Sequence, residues 1–321
     1  MRVLVIGANG MLGRALVARL ATNARYVVRA AVRRVTDMLP ADVDVVEIGN
    51  MTKHPDWSRT LKGVDVIIHV AARAHVMRDA AINPLLEYRL TNTVATIDLA
   101  QRAAEAGVQR FLFVSSIKVN GEETKLGVPF TSAALAMPQD AYAISKMEAE
   151  QGLQKIAERA GMTYVIVRPP LVYGPGVKAN FEKMMEWVDR GFPVPLANTR
   201  NKRSFVALEN LVDLLVRCIE HPAAANQTLL VSDGEDLSTS ELLYRLGNAM
   251  GRPARMFPFP EYLLRVSAMI LGRSDMAQRL CGSLQVDISE TCRKLDWRPP
   301  VTVDEGLKRT VAAWRSSRPQ A

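Results

Sequence analysis

The chain has 321 residues, of which 48% are hydrophobic, so it can bury the core of one large α/β unit or of two lobes. Its three cysteines form no CxxC pair, which argues against a disulfide framework and a zinc site, and we expect no metal. The net charge is +8, but the basic runs are short and lack interleaved aromatic residues, so nucleic-acid binding is unsupported. We predict no signal peptide and no membrane span, and therefore a cytoplasmic protein.

The first predicted strand, at residues 3–6, runs into a glycine-rich turn and then into a helix predicted at 12–21. A strand, a glycine turn and a helix start in this order are typical of a dinucleotide site. The absent Cβ atoms let a pyrophosphate approach the N-terminus of the helix. We therefore expect the cofactor to contact Gly7, Asn9, Gly10, Met11, Leu12 and Gly13.

Strands and helices alternate over the rest of the first half. Short apolar runs rich in β-branched residues predict strands, and patterns of helical period lie between them. The predicted strands are 26–32, 43–48, 64–70, 110–115 and 163–168, and the predicted helices are 57–61, 86–105 and 141–159. Nearly continuous apolar strands joined by helices predict an α/β fold of the Rossmann type, whose doubly wound parallel sheet is covered on both faces.

The pattern changes after residue 168, where the segments 168–176 and 192–196 are rich in turn residues. Ser238 and Glu241 have the spacing of a capping box at a helix start. Beyond residue 200 the sequence predicts strands at 204–208 and 228–232, helices at 209–220, 239–250 and 304–315, and a core or dimer helix at 262–271. We expect an NAD(P)-binding Rossmann domain at 1–172, completed by segments near 203–232, and a smaller C-terminal α/β substrate lobe at 173–321.

The end of the second strand distinguishes the two nicotinamide dinucleotides. Sites selective for NAD usually place an acidic residue about twenty residues beyond the glycines. This chain has Arg33 and Arg34 there, and a guanidinium can bind the 2′-phosphate of NADP in bidentate fashion. The sequence therefore favours NADP(H), with NAD(H) as the alternative. We expect Asn50, after the third strand, to contact the adenine.

Candidate catalytic groups occur at the end of the fifth strand and at the start of the helix predicted at 141–159. Ser115 and Ser116 end the strand, and Tyr142 precedes Lys146 by four residues, which places both on one helix face. A phenol has a pKa of about 10, and a nearby ammonium lowers it. With Ser116 bonded to the same substrate oxygen, these groups form a proton relay for interconversion of an alcohol and a ketone by hydride transfer.

Several motifs together resemble the extended short-chain dehydrogenase/reductase family, in its nucleotide-sugar branch of NAD-dependent epimerases and dehydratases. The resemblance spans nearly the whole chain, through KLDW at 294–297. The matching segments are GANGMLG at 7–13, HVAA at 69–72, SSIKVNG at 115–121, YAISK at 142–146, RPPLVYGPG at 168–176 and RSFVALENLVD at 203–213. The family usually forms homodimers, so the resemblance implies one here.

The resemblance also implies roles for individual residues. Ser116, Tyr142 and Lys146 would be the catalytic trio, and Ala71, Ala72, Asn92, Lys146, Pro169 and Val172 would line the cofactor. The substrate would be a UDP-sugar, with Arg203 on the diphosphate, Arg279 as a second cation, and Asn180 near the phosphate or the sugar. Arg73 and His75 are candidates to line the sugar pocket.

Three reactions share this scaffold. Sugar 4,6-dehydratases carry Asp-Glu directly after the catalytic hydroxyl, but this chain has Ile117 and Lys118, which cannot serve the elimination, so we reject that reaction. Arg33-Arg34 and a likeness to bacterial reductases of UDP-4-keto-6-deoxy-N-acetylhexosamines, which act in O-antigen synthesis, favour a C4 ketoreductase. The alternative is a UDP-sugar 4-epimerase of the UDP-glucose or UDP-N-acetylglucosamine type with bound NAD. A non-catalytic NADP-binding regulator is a minor alternative, because such proteins usually lose the tyrosine or the lysine.

Overall fold

The computed structural model describes residues 1–74, 83–270, 272 and 274–318. The strands in chain order are β1 (Arg2–Ile6), β2 (Val27–Val32), β3 (Asp44–Glu47), β4 (Val66–His69), β5 (Arg110–Val114), β6 (Thr163–Arg168), β7 (Leu171–Tyr173), β8 (Arg203–Ala207), β9 (Gln227–Leu230) and β10 (Asp236–Leu237). Seven of them form a parallel sheet in the order β3-β2-β1-β4-β5-β6-β9. The strand order reverses at β1, so the predicted Rossmann-type fold is confirmed.

Some of the helices cover both faces of this sheet. The helices in chain order are α1 (Met11–Ala21), α2 (Trp57–Leu61), α3 (Pro84–Tyr88), α4 (Ala95–Glu105), α5 (Ala141–Ala160), α6 (Asn180–Asp189), α7 (Leu208–Glu220), α8 (Thr239–Ala249), α9 (Glu261–Ile270), α10 (Ser274–Cys281), α11 (Ser289–Leu295) and α12 (Val303–Ser316). Alternate residues of β1 point to opposite faces, and each face has a core of its own. Helices α1 and α7 pack on the face of Val3 and Val5, and α2, α4 and α5 on the face of Leu4 and Ile6.

A second, smaller unit lies beyond the large sheet. Its three strands follow the order β10-β8-β7, and a separate core joins them to α6, α8 and α12. The segment near 203–232, which was expected to complete the Rossmann domain, divides between the two sheets: β9 joins the large sheet and β8 joins the small one. The turn-rich segment at 168–176 contains β7, a short strand that its prolines and glycines concealed. The predicted capping box is present, with Ser238 and Glu241 each bonded to the other's backbone N–H.

Two predicted helices differ from the structure. The helix predicted at 86–105 contains a π-helical stretch, Arg89–Val94, between α3 and α4. The helix predicted at 262–271 forms as α9, but none of its residues is buried, so a core position was wrong. Met269 and Ile270 there are 65% and 79% exposed. No helix within the described ranges is long and apolar enough to cross a membrane.

Candidate functional site

The glycine turn after β1 is closed by backbone contacts that leave no room for side chains. The N–H groups of Gly7 and Ala8 donate to the carbonyl of Ala31 on β2, at 3.2 and 3.3 Å. Gly7 has φ +88°, and a Cβ there would lie 2.8 Å from the Cα of Ala71, beyond β4. A Cβ on Gly13 would lie 2.2 Å from the carbonyl oxygen of Gly7. These two glycines therefore let α1 begin directly against the strand ends.

Gly10 differs from its two neighbours in the motif. It is the residue before α1, its φ is −72°, and it supplies no side-chain cap to the helix. A Cβ on Gly10 would come no closer than 3.3 Å to another atom, the oxygen of Gly7. The protein itself therefore accepts a methyl group at this position only if the Gly7 oxygen moves by a few tenths of an ångström, a much smaller conflict than at Gly7 or Gly13. A bound pyrophosphate at the N-terminus of α1 would exclude that methyl group, so the turn fits a dinucleotide. Met11 and Leu12 form the first turn of that helix.

Asn92 holds the loop after β4 rather than facing an open groove. Its side-chain oxygen accepts from the N–H of Arg73 at 2.9 Å, and its amide donates to the carbonyl of Arg73 and to the Ser145 hydroxyl, both at 3.1 Å. Asn92 is 1% exposed and lies in the π-helical stretch. It links the loop that carries Ala71 and Ala72 to α5. Asn92 thus positions this loop, and its expected contact with the cofactor stays a prediction.

Ser116 and Tyr142 meet at the carboxyl end of β5. Ser116 follows the strand in an extended conformation, and Tyr142 lies in the first turn of α5. Burial raises the pKa of the Tyr142 phenol above its usual value, a hydrogen bond with Ser116 opposes this rise, and the charge of Asp140 adds to it. Tyr88 of α3 stacks edge-on against Tyr142, with 6.0 Å between the ring centroids.

Lys146 lies one turn farther along α5, on the same face, and is 1% exposed. Its Nζ donates to the carbonyl of Val114 at 2.8 Å and lies 4.3 Å from the centre of the Phe113 ring. Burial lowers the pKa of Lys146 to about 7, against the opposing charge of Glu150. Among the described contacts, its ammonium bonds to β5 and not to Tyr142. The predicted lowering of the tyrosine pKa by this ammonium is therefore not present here, because burial of the phenol dominates.

The turn after β6 closes the same edge. The carbonyl of Pro169 accepts from the N–H of Ile117 at 2.9 Å, which ties this turn to the one that carries Ser116. Val172 follows on β7 and is half-buried. Pro169 thus lies next to the turn that carries Ser116, and Val172 follows three residues later on β7.

The loop after β2 presents the residues expected at the adenosine end. Arg33 and Arg34 are exposed, and their guanidinium groups have no hydrogen bond or ion pair within the described part of the chain. Asn9 holds this loop, since its amide donates to the carbonyl of Arg34 at 2.8 Å and its oxygen accepts from Thr36. Asn50 caps a short 3-10 helix by accepting from the N–H of Thr52 at 3.1 Å. Its side-chain oxygen is therefore engaged within the loop, and the expected adenine contact stays a prediction.

The second lobe brings the two predicted cations near each other. Arg203 begins β8, and its Nη1 donates to the carbonyl of Gly282 at 2.9 Å. Burial lowers the pKa of Arg203, the charge of Glu123 opposes this, and the charge of Arg279 on α10 adds to it. These three charged groups therefore lie near one another. Asn180 begins α6, and His75 lies outside the described residues.

His69, at the end of β4, is a packed histidine. It is 1% exposed, and its Nε2 lies 2.9 Å from the Thr96 hydroxyl. Burial, together with the charge of Lys146, lowers its pKa to about 3, so the ring is neutral at physiological pH. No group of three His, Cys, Asp or Glu in the described ranges could hold a metal ion.

Comparisons with known proteins agree with this geometry. A family model described as the NAD dependent epimerase/dehydratase family matches residues 3–231. A UDP-glucose 4-epimerase of Vibrio cholerae is 45% identical over 313 residues, which are 97% of this chain and 95% of that protein.

Solved structures show the same fold at low identity. A UDP-glucuronic acid 4-epimerase of Bacillus cereus in complex with NAD aligns with a TM-score of 0.80 at 18% identity, over 98% of this chain and 99% of that one. A UDP-glucose 4-epimerase of Thermotoga maritima with UDP-glucose aligns with a TM-score of 0.79 at 22% identity, over 99% of both chains.

Gly13 and Gly10 suggest a matched pair of variants. We expect Gly13→Ala to lower the free energy of unfolding by about 1 to 3 kcal/mol or more, because its methyl group overlaps backbone. Gly10→Ala should unfold like the parent protein yet bind NAD at least tenfold more weakly, a loss of about 1.4 kcal/mol. Urea unfolding and calorimetric NAD titration measure the two effects. Unchanged NAD affinity in Gly10→Ala would show that the pyrophosphate does not lie against this turn.

Proposed function

Because the chain belongs to the NAD-dependent epimerase/dehydratase family, we propose that it is a UDP-hexose 4-epimerase that keeps NAD bound. The observation that carries this proposal is the 45% identity to a UDP-glucose 4-epimerase along 97% of the chain. The grouping of Ser116, Tyr142 and Lys146 at one sheet edge supports it. This reaction was the alternative in the sequence analysis, and the similarity favours it over the O-antigen ketoreductase.

In this function the chain's own residues handle the proton at the 4-hydroxyl oxygen. Bound NAD would accept the hydride from C4 of the sugar and return it to C4 on the opposite face of the sugar ring. Tyr142 takes the hydroxyl proton and later returns it, and Ser116 holds the same oxygen through a hydrogen bond. Since burial holds the pKa of Tyr142 above its usual value, the phenol needs nearby positive charge to act as a base. Lys146 follows Tyr142 by one turn on the same face of α5 and is the cation that this helix offers for that role.

Substrate binding would rest mainly on the diphosphate. Epimerisation requires the sugar to present both faces of C4 to one cofactor, so a tight grip on the sugar itself would block the reaction. Arg203 and Arg279 offer two positive charges to a group that carries two negative ones, with Arg203 fixed by the carbonyl of Gly282. Asn180 and Arg73 remain proposed neighbours of the sugar.

A second candidate function is the C4 ketoreductase with NADPH. The observation that favours it is the position of Arg33 and Arg34, exposed after β2 and without a side-chain partner in the described part of the chain. A 2′-phosphate would find two guanidinium groups there. The two functions differ in whether the reduced cofactor is consumed.

The homodimer stays a prediction. Leu86, Leu90 and Val94 are 51%, 39% and 44% exposed along α3 and the π-helical stretch. Their spacing of four residues gives one apolar stripe, which a second copy of the chain would cover.

Incubation of the purified protein with UDP-glucose or UDP-N-acetylglucosamine, without added cofactor, separates the two candidates. If the protein is an epimerase, NMR detects the 4-epimer of the sugar, and the absorbance of reduced nicotinamide shows no lasting change. A reductase leaves these sugars unchanged and consumes NADPH only when a UDP-4-keto-6-deoxyhexosamine is supplied.

Tyr142→Phe tests the catalytic assignment. The ring keeps its packing against Tyr88, but the proton donor is lost, so turnover should fall by about two to four orders of magnitude. NAD and UDP affinities should match those of the parent protein. Turnover within a few-fold of the parent value would exclude this tyrosine as the proton-transfer group.

Arg203→Ala tests the diphosphate site. We expect UDP binding to weaken by about 2 to 4 kcal/mol in calorimetry, because a buried charge contact to the phosphates is lost. NAD affinity should not change. The matched control is Arg200→Ala, which removes an exposed guanidinium three residues earlier. Equal losses in both variants would mean that only the general charge of this surface matters.

The double change Arg33→Asp and Arg34→Asn tests cofactor choice. If the two guanidinium groups bind a 2′-phosphate, the parent protein should prefer NADPH over NADH by about ten- to a hundredfold, and the variant should reverse the preference. Dissociation constants for both cofactors at one ionic strength measure this. Lys62→Asp, which changes an exposed charge elsewhere, is the control. A parent protein that binds NAD tightly and ignores NADPH would leave only the epimerase.

A further inference from the structure

Lys118 connects the turn that carries Ser116 to the helix that carries Tyr142. It lies in a short 3-10 turn, Ile117–Val119, and its N–H donates to the Ser116 hydroxyl oxygen at 3.3 Å. Its Nζ donates to Glu122 at 2.7 Å and to Asp140 at 2.5 Å. Asp140 in turn caps α5 by accepting from the N–H of Ala143 at 2.7 Å. One side chain therefore joins two segments that are separated in sequence.

The ion pair of Lys118 and Asp140 is shielded from water in part. The two side chains are 32% and 37% exposed, so solvent screens their attraction less than it does on an open surface. Burial works against the charge of Lys118, but the hydrogen bonds to Asp140 and Glu122 outweigh it and raise the lysine pKa. Burial likewise disfavours the Asp140 carboxylate, and the hydrogen bonds from Lys118 and Ala143 lower its pKa. Both groups thus stay charged around neutral pH.

The charge of Asp140 acts on the catalytic phenol, since it raises the pKa of Tyr142. The other groups near the phenol, or in contact with its neighbours, come from four segments. They are Ser116, Lys118 and Glu122 after β5, Tyr88 of α3, Arg73 of the loop after β4 at 5.5 Å from the Tyr88 ring, and Lys146 of α5. Of these, Lys118 is the cation bonded directly to the carboxylate that opposes ionisation of Tyr142.

We propose that Lys118 is a positioning residue for proton transfer, which holds the Ser116 turn against the N-terminus of α5 and cancels the charge of Asp140 beside the Tyr142 phenol. The inference rests on the proposed function for its kinetic readout. It gives a role to the lysine that stands where the resemblance places the glutamate of sugar 4,6-dehydratases. Its Nζ is engaged by two carboxylates and does not act on substrate.

A set of charge changes separates this electrostatic role from a merely structural one. Lys118→Met leaves the Asp140 charge uncompensated, so the pH profile of kcat should move upward by about one pH unit, with about tenfold lower kcat at pH 7. Asp140→Asn keeps a residue that caps helices and should move the profile downward. The double variant removes both charges and should return the profile toward that of the parent protein. The control is Lys125→Met, which removes an exposed charge from the same loop region.

The outcomes distinguish the inference from the proposed function. Circular dichroism checks that each variant is folded, and Asp140→Asn gives an independent test if Lys118→Met is not. Two outcomes would overturn the inference. In the first, Lys118→Met lowers kcat at every pH without moving the pH profile, and the double variant shows the same loss. In the second, the pH profile of Lys118→Met equals that of the parent protein. If the parent protein converts no UDP-hexose, the proposed function fails instead.

In that case, NMR of tyrosine labelled at Cζ tests the inference without turnover. The Tyr142 signal is assigned by its loss in Tyr142→Phe. At a fixed alkaline pH at which all variants are folded, its ionised fraction should be lower in Lys118→Met and higher in Asp140→Asn than in the parent protein. Equal fractions would overturn the inference.

Discussion

The burial of the Lys146 ammonium between α5 and β5 is the constraint on which the catalytic edge depends. Removing a charge from water costs several kcal/mol unless partners compensate it. Here the Val114 carbonyl, the Phe113 ring and the charge of Glu150 compensate it only in part, since burial still lowers the pKa of Lys146 to about 7. Glu150 is itself bonded to Arg168 of β6, at 2.9 Å. Helix α5 must therefore turn this face toward β5 and β6, which brings Tyr142, one turn earlier, to the strand ends beside Ser116.

Because this sheet edge is buried and has a low dielectric constant, each charged group there has a strong electrostatic effect on its neighbours. Lys146 titrates near neutrality and His69 is held neutral, so neither group supplies a fixed full charge at pH 7. Asp140 raises the pKa of the buried phenol further, and Lys118 pairs with that carboxylate. Burial is the largest influence on the pKa of Tyr142; the Ser116 hydrogen bond lowers that pKa and the Asp140 charge raises it, so a single lysine does not set it. Spacing in the sequence brings Tyr142 and Lys146 to one helix face but does not give the direction in which the ammonium points.

Local patterns predicted those parts of the molecule that depend on local physics. Parallel strands buried on both faces are continuous apolar runs, and for this reason β1, β5 and β6 were predicted within one residue at each end. The π-helical stretch could not be predicted, because it accompanies bonds from Asn92 to Arg73 and Ser145, far away in sequence. The link from Lys118 to Asp140 spans 22 residues and has no sequence signature. Asp140 itself did have a sequence signature, because it directly precedes the helix predicted at 141–159 and aspartate is a preferred N-cap residue.

The proposed catalytic trio does not by itself identify the reaction, because proteins named for different substrates share the scaffold. A 3-beta-hydroxysteroid dehydrogenase of Mycolicibacterium neoaurum is 30% identical over 78% of this chain. Elimination needs an acid and a base after the catalytic serine, and Ile117 and the paired Lys118 supply neither. An epimerase and a reductase both need the trio and differ in whether the cofactor leaves after reduction. By the proposal, that difference would depend on how tightly the adenosine end is held, and therefore on the loop after β2, which Asn9 of the glycine turn holds through the carbonyl of Arg34.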